Sequence, residues 1–254
     1  MRNLIIGDTH GSYERLMEVL SKASFDPESD NLYSTGDLAD RGEGCVDVIR
    51  YLFSLPNFFP VLGNHDLWLL DYLVYGDIED IWYDYNGGHV TVRDFDMKNV
   101  SKSEREKIAE RISSTPLLRF SSKWIIAHAG IPFSESMDFL EDFSNKTPEK
   151  QRDSFHRDYF VWDREYVDQA SEYERAKEEG LDDDYFALPP DTEGRILFVG
   201  HTPFIKLFSS EAYHVIDLDT GGFHPAGCMT VMDMDTLEYW QSGKDGKMTL
   251  SFER

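Results

Sequence analysis

The stretch that decides the fold is NLIIGDTHG, residues 3–11, in which a short apolar run ends at a glycine followed by polar side chains. The same order recurs in NLYSTGDLADRG, residues 31–42, and in FFPVLGNHD, residues 58–66. Each apolar run predicts a strand. Helical spacing of apolar residues follows each run, at residues 12–23, 44–55 and 67–75. This alternation of strands and helices predicts a sheet with parallel crossover connections.

The middle of the chain is predicted to be less regular. A helix is expected at residues 102–113, followed by a short hairpin whose second strand, residues 124–127, ends at His128. Residues 131–195 are rich in Asp, Glu and Tyr and contain one charged helical stretch at residues 165–179. We interpret residues 131–195 as an insertion or cap over the core of a single domain formed by all 254 residues.

The last third of the chain returns to strands. Residues 195–199 form an apolar run that ends in Gly200 and His201. Four further strands are expected to pair antiparallel at the end of the chain, at residues 214–218, 228–234, 237–241 and 248–252. Turn residues between the last of these strands favour hairpin connections.

Composition limits the functional classes. With 41% hydrophobic and 14% aromatic residues, the chain can bury the core of an α/β domain. The formal net charge of -23 repels a nucleic-acid backbone, so we expect no DNA or RNA partner. We interpret the acidity mainly as a source of solubility. The alternative is an acidic rim that favours a cationic or metal-carrying substrate.

Cysteine usage and the short apolar runs predict the cellular setting. The two cysteines, Cys45 and Cys228, cannot build a disulfide framework, which favours a reducing compartment. The apolar run at residues 4–6 is too short for a signal peptide, and no stretch approaches the ~20 apolar residues that span a bilayer. We therefore expect a cytoplasmic protein with no membrane partner. The sequence leaves the oligomeric state open.

Polar side chains at the ends of the predicted strands carry the chemistry. A glycine directly precedes four of them, which are Asp8, Asp37, Asn64 and His201. The fifth, His128, follows its strand without a glycine. Ligand sites in open α/β sheets gather beyond the carboxyl ends of the strands, so we expect these side chains on one rim. Each alone is more typical of a cap or a turn. Their joint occurrence favours a binding site.

The side-chain types indicate a pair of divalent metal ions. Carboxylates, an amide oxygen and imidazoles, with no Cys among them, suit Mn, Fe or Zn in a hydrolytic site. Two metals need a bridging carboxylate, and Asp37 is the natural bridge because of its place between the earlier and later ligands. Asp8 and His10 are two residues apart, so they can project toward the same ion.

The motifs taken together resemble a known family. The strings GDTHG, GDLADRG, GNHD, HAG and GHT, in this order, are similar to those of the phosphoprotein-phosphatase branch of the calcineurin-like metallophosphoesterases. That branch holds serine/threonine protein phosphatases, their bacterial and phage relatives, and diadenosine tetraphosphatases. The string DTGG at residues 219–222 is similar to an element of the bacterial members. The resemblance implies an α/β fold in which two mixed β-sheets form a sandwich flanked by helices, in four layers.

The resemblance also implies a role for each motif residue. One metal ion would be held by Asp8, His10 and Asp37, and the other by Asp37, Asn64, His128 and His201. Mn is the expected metal, and Fe or Zn would satisfy the same ligands. His65 would protonate the leaving alkoxide, with Asp40 orienting and charging it.

Two arginines would contact the phosphate of the substrate. Arg41 offers the planar fork that suits phosphate oxygens, although taken alone it is more typical of a surface salt bridge. Arg164, in VWDRE, is similar to a second phosphate-binding arginine of phage and bacterial protein phosphatases. A charge pair on a helix face is the alternative for Arg164.

The leading functional prediction is a metal-dependent phosphatase of the bacterial serine/threonine type, acting on phosphoproteins or small phosphoesters. The alternative is symmetrical hydrolysis of diadenosine tetraphosphate. Asp66 in GNHD favours this alternative, whereas VWDRE favours a protein phosphatase. A scaffold with a degenerate site is disfavoured because no ligand position is lost, and a nuclease is disfavoured by the net charge. Substrate choice is expected to lie between His128 and His201.

Overall fold

Two mixed β-sheets form the centre of the molecule. The computed structural model describes residues 1–181, 186 and 189–252. The first sheet contains, in spatial order, β11 (Met248–Thr249), β10 (Glu238–Gln241), β9 (Thr230–Asp233), β1 (Asn3–Ile6), β2 (Asn31–Ser34) and β3 (Phe58–Pro60). The second contains β4 (Leu118–Phe120), β5 (Trp124–Ala127), β6 (Ile196–Val199), β8 (Val215–Asp217) and β7 (Phe208–Ser210).

Helices connect the strands. Those of the first half are α1 (Tyr13–Lys22), α2 (Cys45–Ser54), α3 (Asn64–Tyr75), α4 (Gly88–Met97) and α5 (Lys102–Ser113), with a π-helical turn at Ile81–Tyr85 before α4. Those of the second half are α6 (Met137–Ser144), α7 (Pro148–Arg152), α8 (Arg157–Val161) and α9 (Glu165–Glu179). No helix among the described residues has the length and apolar character needed to cross a membrane.

The alternation of side chains along β1 explains the layered packing. Leu4 and Ile6 point to one face and join the cluster that includes the helices, whereas Ile5 points to the other. Ile5 packs in a second cluster with Ile126 of β5 and Phe198 of β6, between the two sheets. The strands are buried on both faces, which is why they appear in the sequence as continuous apolar runs. The predicted α/β sandwich of two mixed sheets flanked by helices is confirmed.

The parallel core of the first sheet agrees with the prediction. β1 pairs with β2, and β2 with β3, both in parallel, through the crossover helices α1 and α2. The expected antiparallel finish is correct for β9, β10 and β11. Residues 214–218 depart from it, because β8 lies in the other sheet, where it pairs in parallel with β6 and antiparallel with β7. The short strand β7, which pairs with β8, was not anticipated.

The segment expected to be irregular is mostly helical. Within residues 131–195, α6, α7 and α8 precede α9, and their apolar side chains are part of the main core. Leu140, Phe143 and Phe160 are fully buried there. Residues 182–185, 187 and 188 of this segment lie outside the described residues. The π-helical turn and α4 likewise occupy a polar stretch for which no helix was predicted.

Candidate active site

The predicted ligands come together at the carboxyl ends of five strands. Asp8 lies just beyond β1, and Asp37 lies just beyond β2. Asn64 is the first residue of α3, which follows β3. His128 directly follows β5, and His201 lies two residues after the end of β6. Because these strands are parallel within each sheet, their ends meet at one edge of the sandwich. All five side chains are buried.

Asp37 lies at the centre of this arrangement. Two groups of side chains place potential ligand atoms within 4.8 Å of one another, and both groups contain Asp37. The groups are His10, Asp37 and His65, and Asp37, His128 and His201. Oδ2 of Asp37 lies 3.6 Å from Nε2 of His10 and 3.4 Å from Nε2 of His128. Asp37 therefore occupies the position that a bridging carboxylate requires.

Two of the glycines that precede ligands make room for carboxylates from other strands. A Cβ on Gly63 would lie 2.0 Å from Oδ1 of Asp37, and a Cβ on Gly200 would lie 2.0 Å from Oδ1 of Asp8. Any side chain at either position would displace a carboxylate. The recurrence of glycine before a ligand therefore has a tertiary cause in addition to the local freedom of the turn.

Hydrogen bonds fix the tautomers of three histidines. Nδ1–H of His10 faces the carbonyl oxygen of Ala39 at 2.8 Å, and Nδ1–H of His128 faces that of Thr35 at 2.8 Å. His201 instead uses Nε2–H, at 3.1 Å from the carbonyl oxygen of Trp162. In its neutral form, a histidine that donates from one ring nitrogen presents the lone pair of the other, as metal ligands do.

The electrostatics of the site favour a positive charge among these atoms. Nε2 of His128 lies 3.0 Å from Oδ1 of Asn64 and close to Asp37. Burial lowers the pKa of His128, but the carboxylates of Asp37 and Asp8 outweigh it and raise this pKa to about 10. The proton on His128 thus supplies positive charge where oxygen atoms of the site converge. Oxygen and imidazole nitrogen are ligand atoms that suit a pair of divalent cations.

The other groups of the cluster respond differently to burial. Burial and the charge of His128 lower the pKa of His201 to about 3. Burial raises the pKa of Asp37, but the neighbouring histidines His128 and His65 bring it well below its usual range. Burial and the charge of Asp219 raise the pKa of Asp8. His201 and Asp37 are therefore in their ligand-competent forms at neutral pH.

His65 and Asp40 form the predicted proton-transfer pair. Nδ1–H of His65 faces Oδ2 of Asp40 at 2.6 Å, and both side chains are buried. Trp82 donates its indole N–H to the same oxygen at 2.7 Å, and the Thr91 hydroxyl donates to Oδ1 at 2.5 Å. Three donors thus hold one carboxylate and keep it aimed at His65.

Sequence reasoning missed Trp82 and Thr91. They lie in the π-helical turn and in α4, in a stretch whose apolar spacing predicts no helix. The isolated Trp in that polar stretch was the only available signal. π-Helical turns often mark functional sites, and this one delivers its buried side chain to Asp40.

Arg41 lies beside the histidine that would donate the proton. Its Nη2 is 3.3 Å from Nε2 of His65, and its guanidinium stacks over the Phe223 ring at 4.5 Å from the ring centroid. Phe223 also packs edge-on against His10. The aromatic ring holds the guanidinium plane without competing for its N–H donors, so the donors that do not contact His65 stay available to an anion.

Arg164 lies at the rim of the same site. It directly precedes α9, its side chain is exposed, and its charge contributes to the lowered pKa of His201. Nearby, the Trp162 ring packs edge-on against Trp68, with centroids 4.9 Å apart. The segment that carries α9 thus supplies part of the entrance to the site.

Asp66 has a structural role. Its two carboxylate oxygens accept the backbone N–H groups of Asp37, Leu38 and Gly63 at 2.9–3.0 Å. Burial, followed by the charge of Asp37, raises the pKa of Asp66 to about 6. Asp66 therefore holds the Asp37 loop against α3 and does not face a substrate. Its identity carries less information about substrate class than the sequence interpretation gave it.

Asp219, in DTGG, is a further site residue that sequence reasoning did not assign. It is 1% exposed, and its pKa responds to the charges of Asp37, Arg41 and His128. Burial raises this pKa. Asp219 therefore lies close enough to the two groups of ligands to interact electrostatically with their charged members.

Backbone strain is concentrated in the site. The described residues with positive φ outside glycine include five candidate site residues, with φ between 40° and 72°: His10, Asp37, Asp40, Arg41 and His201. Such conformations cost of order 1 kcal/mol or more each and persist only where the surroundings impose them. The strain agrees with a site in which function dictates side-chain direction.

Comparison with known proteins identifies the family. The pattern of the calcineurin-like phosphoesterases matches residues 1–220. The chain belongs to the calcineurin-like phosphoesterase family. The resemblance inferred from the five motifs is therefore confirmed, and the enzyme class expected from them, a metal-dependent phosphoric ester hydrolase, agrees with this membership.

Sequence relatives match only part of the chain. Symmetrical bis(5'-nucleosyl)-tetraphosphatases from Serratia proteamaculans and Salmonella typhimurium are each 51% identical to it over 71 residues, which is 28% of this chain. The matched stretch spans 25% of the length of these curated relatives.

Solved structures share the fold over nearly the whole chain. A putative diadenosine tetraphosphatase is 21% identical, with a TM-score of 0.55 and coverage of 91% of this chain and 88% of the other. A cold-active protein tyrosine phosphatase is 15% identical, with a TM-score of 0.65 and coverage of 99% of this chain and 79% of the other. A serine/threonine protein phosphatase from Saccharomyces cerevisiae is 16% identical, with a TM-score of 0.56 and coverage of 92% and 73%. At these identities the likeness concerns the fold alone.

Proposed function

We propose that this protein is a phosphatase with two divalent metal ions that hydrolyses phosphate monoesters of serine and threonine in proteins. The observation that carries the proposal is the buried His65–Asp40 pair, in which His65 also belongs to one of the two groups that share Asp37. A serine or threonine alkoxide is a poor leaving group, so its departure benefits from a positioned acid. An ADP leaving group needs a proton much less.

The metal ions would be held by the side chains that converge on Asp37. Asp8 and His10 would complete the set on one side of Asp37, and Asn64, His128 and His201 on the other. Divalent ions bound there supply Lewis acidity, an activated water nucleophile and neutralisation of phosphate charge. Mn is our first choice, and Fe and Zn suit the same donors.

The chain's own residues would bind the phosphate and move a proton. Arg41 holds phosphate oxygens while stacked on Phe223, and Arg164 adds positive charge at the entrance. His65 gives the proton on Nε2 to the leaving oxygen, and Asp40 keeps the opposite nitrogen protonated and stabilises the charged imidazole.

A second candidate function is symmetrical hydrolysis of diadenosine tetraphosphate. The similarity that favours it is the 51% identity over 71 residues to enzymes with that name. The same ligands and Arg41 would serve a polyphosphate as well as a monoester. Arg164 would then contact a second phosphate of the chain.

One substrate panel separates the two candidates. The protein, loaded in turn with Mn, Fe or Zn, is assayed with a phosphoserine peptide, p-nitrophenyl phosphate and diadenosine tetraphosphate. We expect phosphopeptide turnover that falls by more than ~100-fold in His65→Asn. Release of ADP from the dinucleotide without phosphopeptide turnover would overturn the proposal in favour of the second candidate.

A further inference from the structure

A concentration of exposed apolar side chains lies between the end of α3 and the π-helical turn. Five large hydrophobic residues are 42–79% exposed within twelve residues: Val74, Tyr75, Ile78, Ile81 and Tyr85. They are almost half of the large hydrophobic residues that are exposed in the described part of the chain. We refer to residues 74–85 as the 74–85 surface. Clustered apolar exposure of this kind marks interaction sites.

The 74–85 surface is also strongly acidic. It carries Asp77, Glu79, Asp80 and Asp84, all exposed, and its sequence contains no Lys or Arg. None of these four carboxylates is in an ion pair with any residue that the structure describes. The exposed apolar side chains and the carboxylates together fit a partner segment that has both basic and apolar side chains. A second copy of this acidic surface would be repelled.

The surface is part of the element that completes the catalytic site. Trp82 points inward from the same turn and donates to Asp40, while Ile81 and Tyr85 on either side of it are exposed. Along α3, ten residues separate His65 from Tyr75, which corresponds to about 15 Å at 1.5 Å per residue. An extended peptide covers that distance with roughly five residues.

We propose that the 74–85 surface docks the phosphoprotein substrate through a basic and apolar segment about five residues from the phosphorylated side chain. The proposal rests on the proposed function and adds a substrate class to it. The carboxylates attract the basic side chains, and burial of Ile78 and Ile81 contributes apolar contact. The phosphorylated residue then reaches Arg41 and the ligand cluster.

The test uses the metal-loaded, full-length protein and phosphoserine peptides of equal length. One set places Lys and Leu residues about five positions before or after the phosphoserine, and a second set places Glu and Ser there. We expect kcat/KM to be about tenfold higher for one of the Lys/Leu peptides, chiefly through KM, and the advantage to shrink as salt is raised.

Two variants test whether the 74–85 surface causes the preference for the Lys/Leu peptides. Ile78→Ser/Ile81→Ser and Asp77→Asn/Glu79→Gln/Asp80→Asn are each expected to abolish the preference without changing turnover of p-nitrophenyl phosphate. Phe155→Ser is the matched control, since Phe155 is exposed outside the surface, and it should keep the preference. Equal kcat/KM for all peptides, or a preference that survives both surface variants, would overturn the proposal.

A separate readout distinguishes failure of the surface from failure of the proposed function. Binding of the unphosphorylated Lys/Leu peptide is measured by fluorescence anisotropy, which requires no catalysis. Binding that the surface variants abolish would support docking even if no phosphopeptide were hydrolysed. Self-association of the wild-type protein that Ile78→Ser/Ile81→Ser removes would instead assign the surface to a second copy and overturn the proposal.

Discussion

The indole N–H of Trp82 donates a hydrogen bond to Oδ2 of Asp40 at 2.7 Å, on the oxygen that also accepts from the proton donor. Trp82 is 1% exposed, and its ring packs so closely on the backbone that a Cβ at Gly88 would lie 2.5 Å from it. The contact therefore leaves little freedom to Asp40. Under the proposed function, Trp82 is a positioning residue for proton transfer.

Replacement of Trp82 by Phe keeps the ring and removes the donor. We expect kcat on an alkyl phosphate to fall about tenfold, with a smaller loss on p-nitrophenyl phosphate, whose leaving group needs no proton.

A matched control for this substitution is Trp124→Phe, because Trp124 lies at the start of β5, at the opposite end of the sheet from the ligands. It should leave both rates unchanged. Equal losses on the two phosphates in Trp82→Phe would reduce Trp82 to a packing role.

Gly63→Ala is expected to abolish the metal site without unfolding the protein. The new Cβ would meet Oδ1 of Asp37 at 2.0 Å, so the carboxylate shared by the two ligand groups must move. Metal analysis of protein purified without chelator should show less than one ion per chain, against two in the wild type. Circular dichroism checks that the fold persists.

Gly180→Ala serves as the control for Gly63→Ala. A Cβ at Gly180 meets open space, although its φ of 67° makes alanine cost about 1 kcal/mol of stability. This variant should lose some stability and keep both metal ions. A Gly63→Ala protein with full metal content would show that Asp37 is not the bridge.

Metal binding is expected to release a proton from His128. Its neighbouring carboxylates raise its pKa to about 10 in the metal-free protein, so a metal ion must displace that proton at pH 7. His201, whose pKa is lowered to about 3, has none to release. Metal affinity should therefore rise about tenfold per pH unit between pH 6 and 9.

Calorimetry in buffers of different ionisation enthalpy measures this proton directly. Titration of the wild-type protein with Mn²⁺ at pH 7 should release about one proton per chain, and His128→Asn should release none and bind more weakly. Proton-free binding by the wild type would contradict the assignment of His128 as a ligand.

Asp66→Asn should destabilise the protein by about 2 kcal/mol or more, because the amide cannot accept three backbone N–H groups with two oxygens as the carboxylate does. Urea unfolding measures the loss. Asp71→Asn, at an exposed position of the same helix, is the control and should be near neutral.

Asp66→Glu addresses the link between this position and substrate choice. Since the Asp66 carboxylate faces backbone groups and not the substrate, we expect the ratio of activity on phosphopeptide to activity on diadenosine tetraphosphate to stay within about twofold, within the usual effect of a substitution away from the substrate. A shift of that ratio by an order of magnitude would restore Asp66 as a specificity residue.

Local patterns predicted β1, β2 and β3 and the helices between them well, because apolar spacing and turn residues are local signals. The direction in which the later strands pair was harder to predict from the sequence. Residues 214–218 look the same in the sequence whether they run parallel or antiparallel, and only their pairing with β6 decides. Between His128 and α9, the helices α6, α7 and α8 are short, and their apolar side chains are buried in the main core.

The sequence by itself determined which side chains are candidates for the chemistry. The strand ends, four of which are marked by a glycine, name Asp8, Asp37, Asn64, His128 and His201, since ligand types and turn context are readable residue by residue. Only the tertiary structure decided how they are held. Gly63 and Gly200 make room for carboxylates from distant strands, and Trp82 and Thr91 fix Asp40 across 42 and 51 residues of chain. Such contacts depend on which segments pack together, and no local pattern records that.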